Sequence, residues 1–60
     1  MEIMKQIEAK TKGFKIIESC LTMEHCNGAN RYIDRYLEKF EDMLGSTELR
    51  NALLIKKDNL

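Results

Sequence analysis

Aliphatic side chains recur at intervals of three and four residues along almost the whole of this 60-residue sequence, which contains no proline. This spacing places apolar side chains on one face of an α-helix. Only three glycines occur, so few positions favour long or irregular connections between helices. The pattern therefore predicts an all-α protein with a single domain over residues 1–60.

The first predicted helix covers about residues 2–19, and its apolar face includes Ile7, Phe14 and Ile17. Gly13 lies inside this segment, where a glycine costs about 1 kcal/mol relative to alanine. Either a bend or a close contact with another helix would explain this glycine. We expect the bend.

The second predicted helix begins after Thr22, whose hydroxyl can accept hydrogen bonds from free backbone amides. We expect it to continue through Asn27 and Gly28, although this pair also favours turns. It should end at Gly45, because glycine readily adopts the left-handed conformation that closes helices. Its apolar stripe contains Cys26, Ala29, Ile33, Leu37, Phe40 and Leu44.

A short third helix is predicted from Ser46 to about Lys57, with the serine as its N-terminal cap. The two longer helices should form an antiparallel helical hairpin, and the third should cover one end of it. A domain of this size buries only roughly 60% of the surface of its unfolded chain. We therefore expect a homo-oligomer to complete the core. The candidate core or oligomer-interface residues are Ile7, Phe14, Ile17, Ile33, Leu37, Phe40 and Leu44.

Charge balance limits the classes of partner. Ten basic and ten acidic side chains give a formal net charge of zero, so no overall field attracts duplex nucleic acid. The sequence has no apolar run of membrane-spanning length and no signal-peptide pattern. These features predict a cytoplasmic protein that has no membrane partner.

Cys20, His25 and Cys26 are the residues with the greatest chemical reactivity. Structural zinc sites usually take four ligands from paired short motifs, and a second pair is missing here. The sequence therefore predicts buried, reduced thiols beside a surface histidine, with no metal and no cofactor. A nucleophilic cysteine would need a pocket that excludes water, for which a short helical chain has little room, so we predict no enzyme.

Charged residues on the second helix repeat at four-residue steps. The basic stripe is Arg31, Arg35 and Lys39, and the acidic stripe is Asp34, Glu38 and Asp42. One interpretation is a solvated face on which opposite charges pair at three-residue spacing. The other is a docking face on which the basic stripe meets an acidic stripe of another chain.

Tyr32 and Tyr36 lie one turn apart and adjoin Arg31 and Arg35. Aromatic rings that stack on a base, beside guanidinium groups that hold a phosphate, are typical of nucleotide or single-stranded nucleic acid sites. Tyrosines that are half buried between helices would explain the same residues more simply. Nucleotide or cyclic-nucleotide sequestration is therefore the alternative function.

A segment in the middle of the chain resembles short uncharacterised proteins of tailed bacteriophages. The matching residues are Ser19-Cys20-Leu21-Thr22-Met23-Glu24-His25, then Ala29, Arg31-Tyr32-Ile33, Tyr36 and Phe40. The sequence departs from that pattern at Asn27-Gly28, where most members have good helix formers. The resemblance implies an accessory phage protein in the bacterial cytoplasm that binds a host or phage protein stoichiometrically, as in host takeover.

Overall fold

Side-chain and backbone hydrogen bonds cap the helices of the described residues, which number three. The computed structural model describes residues 2–60, with side chains from residue 4 onward. Its helices are α1 (Glu2–Glu18), α2 (Met23–Phe40) and α3 (Met43–Asp58), and residues 2–60 contain no strand. The all-α prediction is confirmed. None of these helices combines the length and hydropathy needed to cross a bilayer.

The start of α2 agrees with the sequence prediction. Thr22 has an extended backbone, and its side chain accepts a hydrogen bond from the backbone N–H of His25 at 3.2 Å. The helix then continues through Asn27 and Gly28, as predicted. The buried residues Cys26, Ala29 and Ile33 lie on either side of this pair, and their burial offsets its poor helix propensity.

The end of α2 differs from the prediction, because the helix stops at Phe40 and not at Gly45. Glu41 adopts the left-handed conformation, with φ 51°, and donates its backbone N–H to the carbonyl of Leu37 at 2.8 Å. This is the C-terminal capping geometry that glycine usually provides. A glutamate gives no sequence signal for it.

The start of α3 differs for a related reason. Asp42 caps this helix by accepting a hydrogen bond from the backbone N–H of Gly45 at 3.0 Å. Gly45 and Ser46 therefore lie inside the first turns of α3, so neither ends α2 nor caps α3. The Ser46 hydroxyl instead donates to the carbonyl of Met43 at 2.9 Å.

α3 has 16 residues and packs along both other helices, so the prediction of a short helix that covers one end is wrong. Short connections make consecutive helices antiparallel, which leaves α1 and α3 parallel. The three helices form an elongated bundle, with extents of 36 × 17 × 14 Å. One chain therefore builds a core from all three helices.

Among the side chains from residue 4 onward, the core contains eight that are apolar: Ile17, Cys20, Cys26, Ala29, Ile33, Tyr36, Leu49 and Leu53. Phe14 and Phe40 are partly buried against it, and Leu37 is half-buried. Ile7 and Leu44, which the sequence placed on the apolar faces, are 60% and 74% exposed. Leu44 lies outside the core because it belongs to α3, so the apolar stripe of α2 ends before it.

Gly13 is a point of close contact between helices. A Cβ atom at this position would lie 2.9 Å from Cδ2 of Leu49 and 3.1 Å from Cε1 of Tyr32. The missing side chain thus allows residues of both α2 and α3 to approach the α1 backbone. This contact explains the glycine better than the bend that we expected.

Candidate interaction surface

The basic stripe of α2 borders the seam between α1 and α2. Arg31 and Arg35 line a shallow groove of about 300 Å³, together with Ile16, Gly28 and Tyr32. Arg35 also lines an adjoining groove of about 160 Å³, whose other lining residues include Ala9, Lys39 and Phe40. We call this continuous feature the basic groove.

α1 adds positive charge to the other side of the basic groove. Ala9 and Ile16 line it, and Lys5 and Lys12 fall on the same face of α1 at helical spacing. Both lysines are exposed, as are the three cations of α2. Five cationic side chains therefore flank a floor made mostly of apolar atoms.

The acidic side of α2 is oriented towards α3. Arg50 of α3 forms an ion pair with Asp34 and donates a hydrogen bond to the side-chain carbonyl of Asn30 at 3.0 Å. Asp34 therefore pairs with Arg50 and not with Arg31, the partner that three-residue spacing allowed. The other ion pair among the side chains from residue 4 onward joins Lys10 to Glu48. Within that part of the chain, the three basic residues of α2 have no carboxylate partner.

The two tyrosines join helices through their hydroxyl groups. Tyr32 donates to the carbonyl of Ala9 in α1 at 2.7 Å, and Tyr36 donates to the carboxylate of Asp42 at 2.7 Å. Burial raises the pKa of Tyr32. Burial, followed by the hydrogen bond to Asp42, raises the pKa of Tyr36 to about 12. Tyr36 is only 3% exposed, so its ring offers no open face on which a base could stack.

Asp42 connects all three helices, a role that the sequence analysis missed. Its carboxylate accepts hydrogen bonds from Tyr36 of α2, from Gly45 of α3 and from Gln6 of α1, the last at 3.0 Å. These hydrogen bonds, that of Tyr36 first, lower the pKa of Asp42. The available signal was the preference of aspartate for the N-terminal cap of a helix.

The two cysteines are buried in the core, and the histidine forms a hydrogen bond to the backbone at the start of α2. Cys20 and Cys26 are buried free thiols, and burial, together with the nearby Cys26, raises the pKa of Cys20. A reactive cysteine needs a lowered pKa. His25 is exposed, and its Nδ1 accepts a hydrogen bond from the backbone N–H of Leu21 at 3.1 Å. Among the described side chains, no cluster of three potential ligands could hold a metal ion.

Comparisons with known protein families, with curated proteins and with solved structures found no match for this chain. The functional argument therefore depends on the geometry and charge of its surfaces. The basic groove brings together all five predicted binding residues: Arg31, Arg35 and Lys39 are exposed along it, and Tyr32 and Tyr36 lie in its wall. Of these five, Tyr36 is buried.

Proposed function

We propose that this protein acts without catalysis, by binding an acidic surface of another protein stoichiometrically through the basic groove. The observation that supports this function is the separation of charges on α2. Arg50 binds the acidic residue Asp34 on the α3 side, whereas Arg31, Arg35 and Lys39 are exposed on the α1 side. The chain has no net charge, so the attraction is local to this groove.

The shape of the basic groove favours a helical segment of the partner. Gly28 to Lys39 spans about 16 Å at 1.5 Å per residue, which is about three helical turns. A helix with acidic side chains at three- and four-residue spacing could place its carboxylates near the cations and its apolar side chains on Ile16 and Ala9. Gly28 leaves space for close approach, since nothing lies within 4 Å of the position of an added Cβ.

The tyrosines favour a protein ligand over a nucleotide. Stacking of a base between two rings requires that both rings be accessible. Tyr36 is buried, and its hydroxyl is bound to Asp42. Tyr32 has a partly exposed ring, but its hydroxyl is bound to Ala9. Nucleotide sequestration is therefore the weaker proposal.

The sequence resemblance supplies a context for this proposal. It suggests that the partner is a host or phage protein in the bacterial cytoplasm and that the binding contributes to host takeover. A homo-oligomeric scaffold would present more than one basic groove to the partner and would raise avidity.

The test uses the chain as bait for affinity capture of the partner and compares the wild type with two charge-reversed variants. Arg31→Glu/Arg35→Glu should lower capture of the partner at least about tenfold, because it replaces attraction with repulsion at the groove. Lys15→Glu/Lys57→Glu is the control, since it makes the same change in net charge on exposed or half-buried positions elsewhere. Circular dichroism verifies that both variants remain helical. Equal capture by all three proteins, or an equal loss in both variants, would contradict the proposal.

A further inference from the structure

Large apolar side chains of the described residues are exposed along the seam between α1 and α3. Ile7, Leu44 and Ile55 are 60%, 74% and 64% exposed. Ile7 precedes the seam residue Phe14 by two helical turns, and Leu44 precedes Ile55 by three turns on the same face of α3. We call this surface the apolar seam.

The apolar seam has two complementary parts. At its C-terminal end, a groove of about 270 Å³ is lined by Phe14, Ile17, Ala52 and Ile55, together with the polar side chains of Glu18, Lys56 and Asn59. Because α1 and α3 are parallel, the exposed Ile7 and Leu44 share the N-terminal end. The first part is concave and the second is made of protruding side chains, so one copy of the seam can accommodate another.

A salt bridge lies between these two parts. Lys10 Nζ of α1 is 2.7 Å from Glu48 Oε2 of α3, and both side chains remain partly exposed. Lys10 lies three residues after Ile7 and four before Phe14, so the pair is near the middle of the seam. In an antiparallel, twofold arrangement α1 faces α1 of the other copy and α3 faces α3, so the two Lys10–Glu48 pairs meet near the axis, each neutral as a pair.

We propose that the apolar seam is the site at which a second copy of this chain docks, in an antiparallel, twofold-symmetric homodimer. Leu44 and Ile7 of each copy enter the groove beside Phe14 and Ile55 of the other copy, and the two Lys10–Glu48 pairs meet at the axis. Such an interface is isologous, because each contact occurs twice. This inference deepens the homo-oligomeric part of the proposed function and leaves the basic groove open.

The size of the apolar seam is adequate for such an interface. A standard interface buries about 800 Å² on each partner, and the total accessible surface of the chain is 4657 Å². The 36 × 17 Å side of the bundle is about 600 Å² in projection, so an interface of this size takes that whole side together with the relief of its exposed side chains. The dimer therefore uses the α1–α3 side and leaves the basic groove, between α1 and α2, for a partner.

Sedimentation equilibrium of two single variants, one inside the apolar seam and one outside it, tests the position of the interface. Leu44→Gln should weaken the dimer at least about 100-fold, because the loss of apolar burial occurs at both copies. Met43→Gln is the matched control, since Met43 is in the same first turn of α3, is 72% exposed and lies beside Leu37, Glu38 and Glu41. This variant should keep the wild-type affinity. A wild-type mass of 7.0 kDa up to millimolar concentration, or equal effects of both variants, would overturn the proposal.

Charge exchange at the centre of the seam tests the twofold arrangement. Lys10→Glu and Glu48→Lys each place like charges around the axis, so neither variant should dimerise well alone. An equimolar mixture of the two should form heterodimers, because the acidic centre of one variant meets the basic centre of the other. If the mixture sediments with the same mass as each variant alone, the proposed twofold arrangement of the dimer is wrong.

The failure of this proposal can be distinguished from the failure of the proposed function. Arg31→Glu/Arg35→Glu changes only the basic groove and should sediment as the wild-type dimer. A variant that loses the partner but keeps the dimer mass supports both proposals. Loss of the dimer mass in this double variant would overturn the assignment of self-association to the apolar seam.

Discussion

Gly28 and Gly45 both lie within helices, but an added methyl group would meet different surroundings. At Gly28 nothing lies within 4 Å, whereas at Gly45 it would overlap Oδ2 of Asp42 and lie 3.0 Å from the hydroxyl of Tyr36. We therefore expect Gly28→Ala to stabilise the fold by about 0.5–1 kcal/mol through helix propensity. Gly45→Ala should destabilise it by about 1–3 kcal/mol through overpacking.

Urea denaturation followed by circular dichroism measures both changes in the free energy of unfolding. The two substitutions are chemically identical and serve as controls for each other. If they change stability in the same direction, the packing around Asp42 differs from that described above.

Tyr36 makes stability depend on pH in the alkaline range. Its pKa is raised from 10.0 to about 12 in the folded protein, so the folded state favours the neutral hydroxyl. The resulting stability is fully present below pH 10 and is lost as pH rises towards about 12. Tyr36→Phe should remove this contribution, so the difference in unfolding free energy between wild type and variant should shrink over that interval. Parallel decreases in the two proteins would exclude this role of the hydroxyl.

At the scale of helices, Glu41 is the residue whose conformation fits its side chain least well. It is the one non-glycine residue with positive φ in the described chain, and the left-handed region costs a side chain about 1–2 kcal/mol. Glu41→Gly should therefore stabilise the fold by about 1 kcal/mol. The same substitution at Glu38, an exposed position inside α2, should destabilise it by about the same amount. Thermal melts that show the same sign for both would contradict this assignment of the cap.

The sequence predicted some helix ends because their caps have clear residue preferences. Thr22 caps α2 as its hydroxyl predicts. The junction of α2 and α3 was not predictable, since Gly45 and Ser46 have the composition of a helix end and a helix start. The competing cap, Asp42, prevails because it also bonds to Tyr36 and Gln6, and these contacts exist only in the folded bundle.

At the scale of the whole molecule, periodicity predicted the basic stripe but not the groove that it borders. Four-residue spacing alone places Arg31, Arg35 and Lys39 on one face. The contribution of α1 depends on the packing of Ile16 against α2, and the neutralisation of Asp34 depends on Arg50, which is 16 residues away. Non-local contacts of this kind leave no periodic signal in the sequence.

The most direct test of the proposed function is chemical-shift mapping of the isotopically labelled chain, first alone and then bound to the captured partner. Binding through the basic groove predicts that the largest amide shifts occur at Gly28, Arg31, Tyr32 and Arg35, with smaller ones at Ile16. The outer face of α3, including Asn51, should be unaffected. Shifts confined to α3 or to the apolar seam would show that the basic groove is not the binding surface.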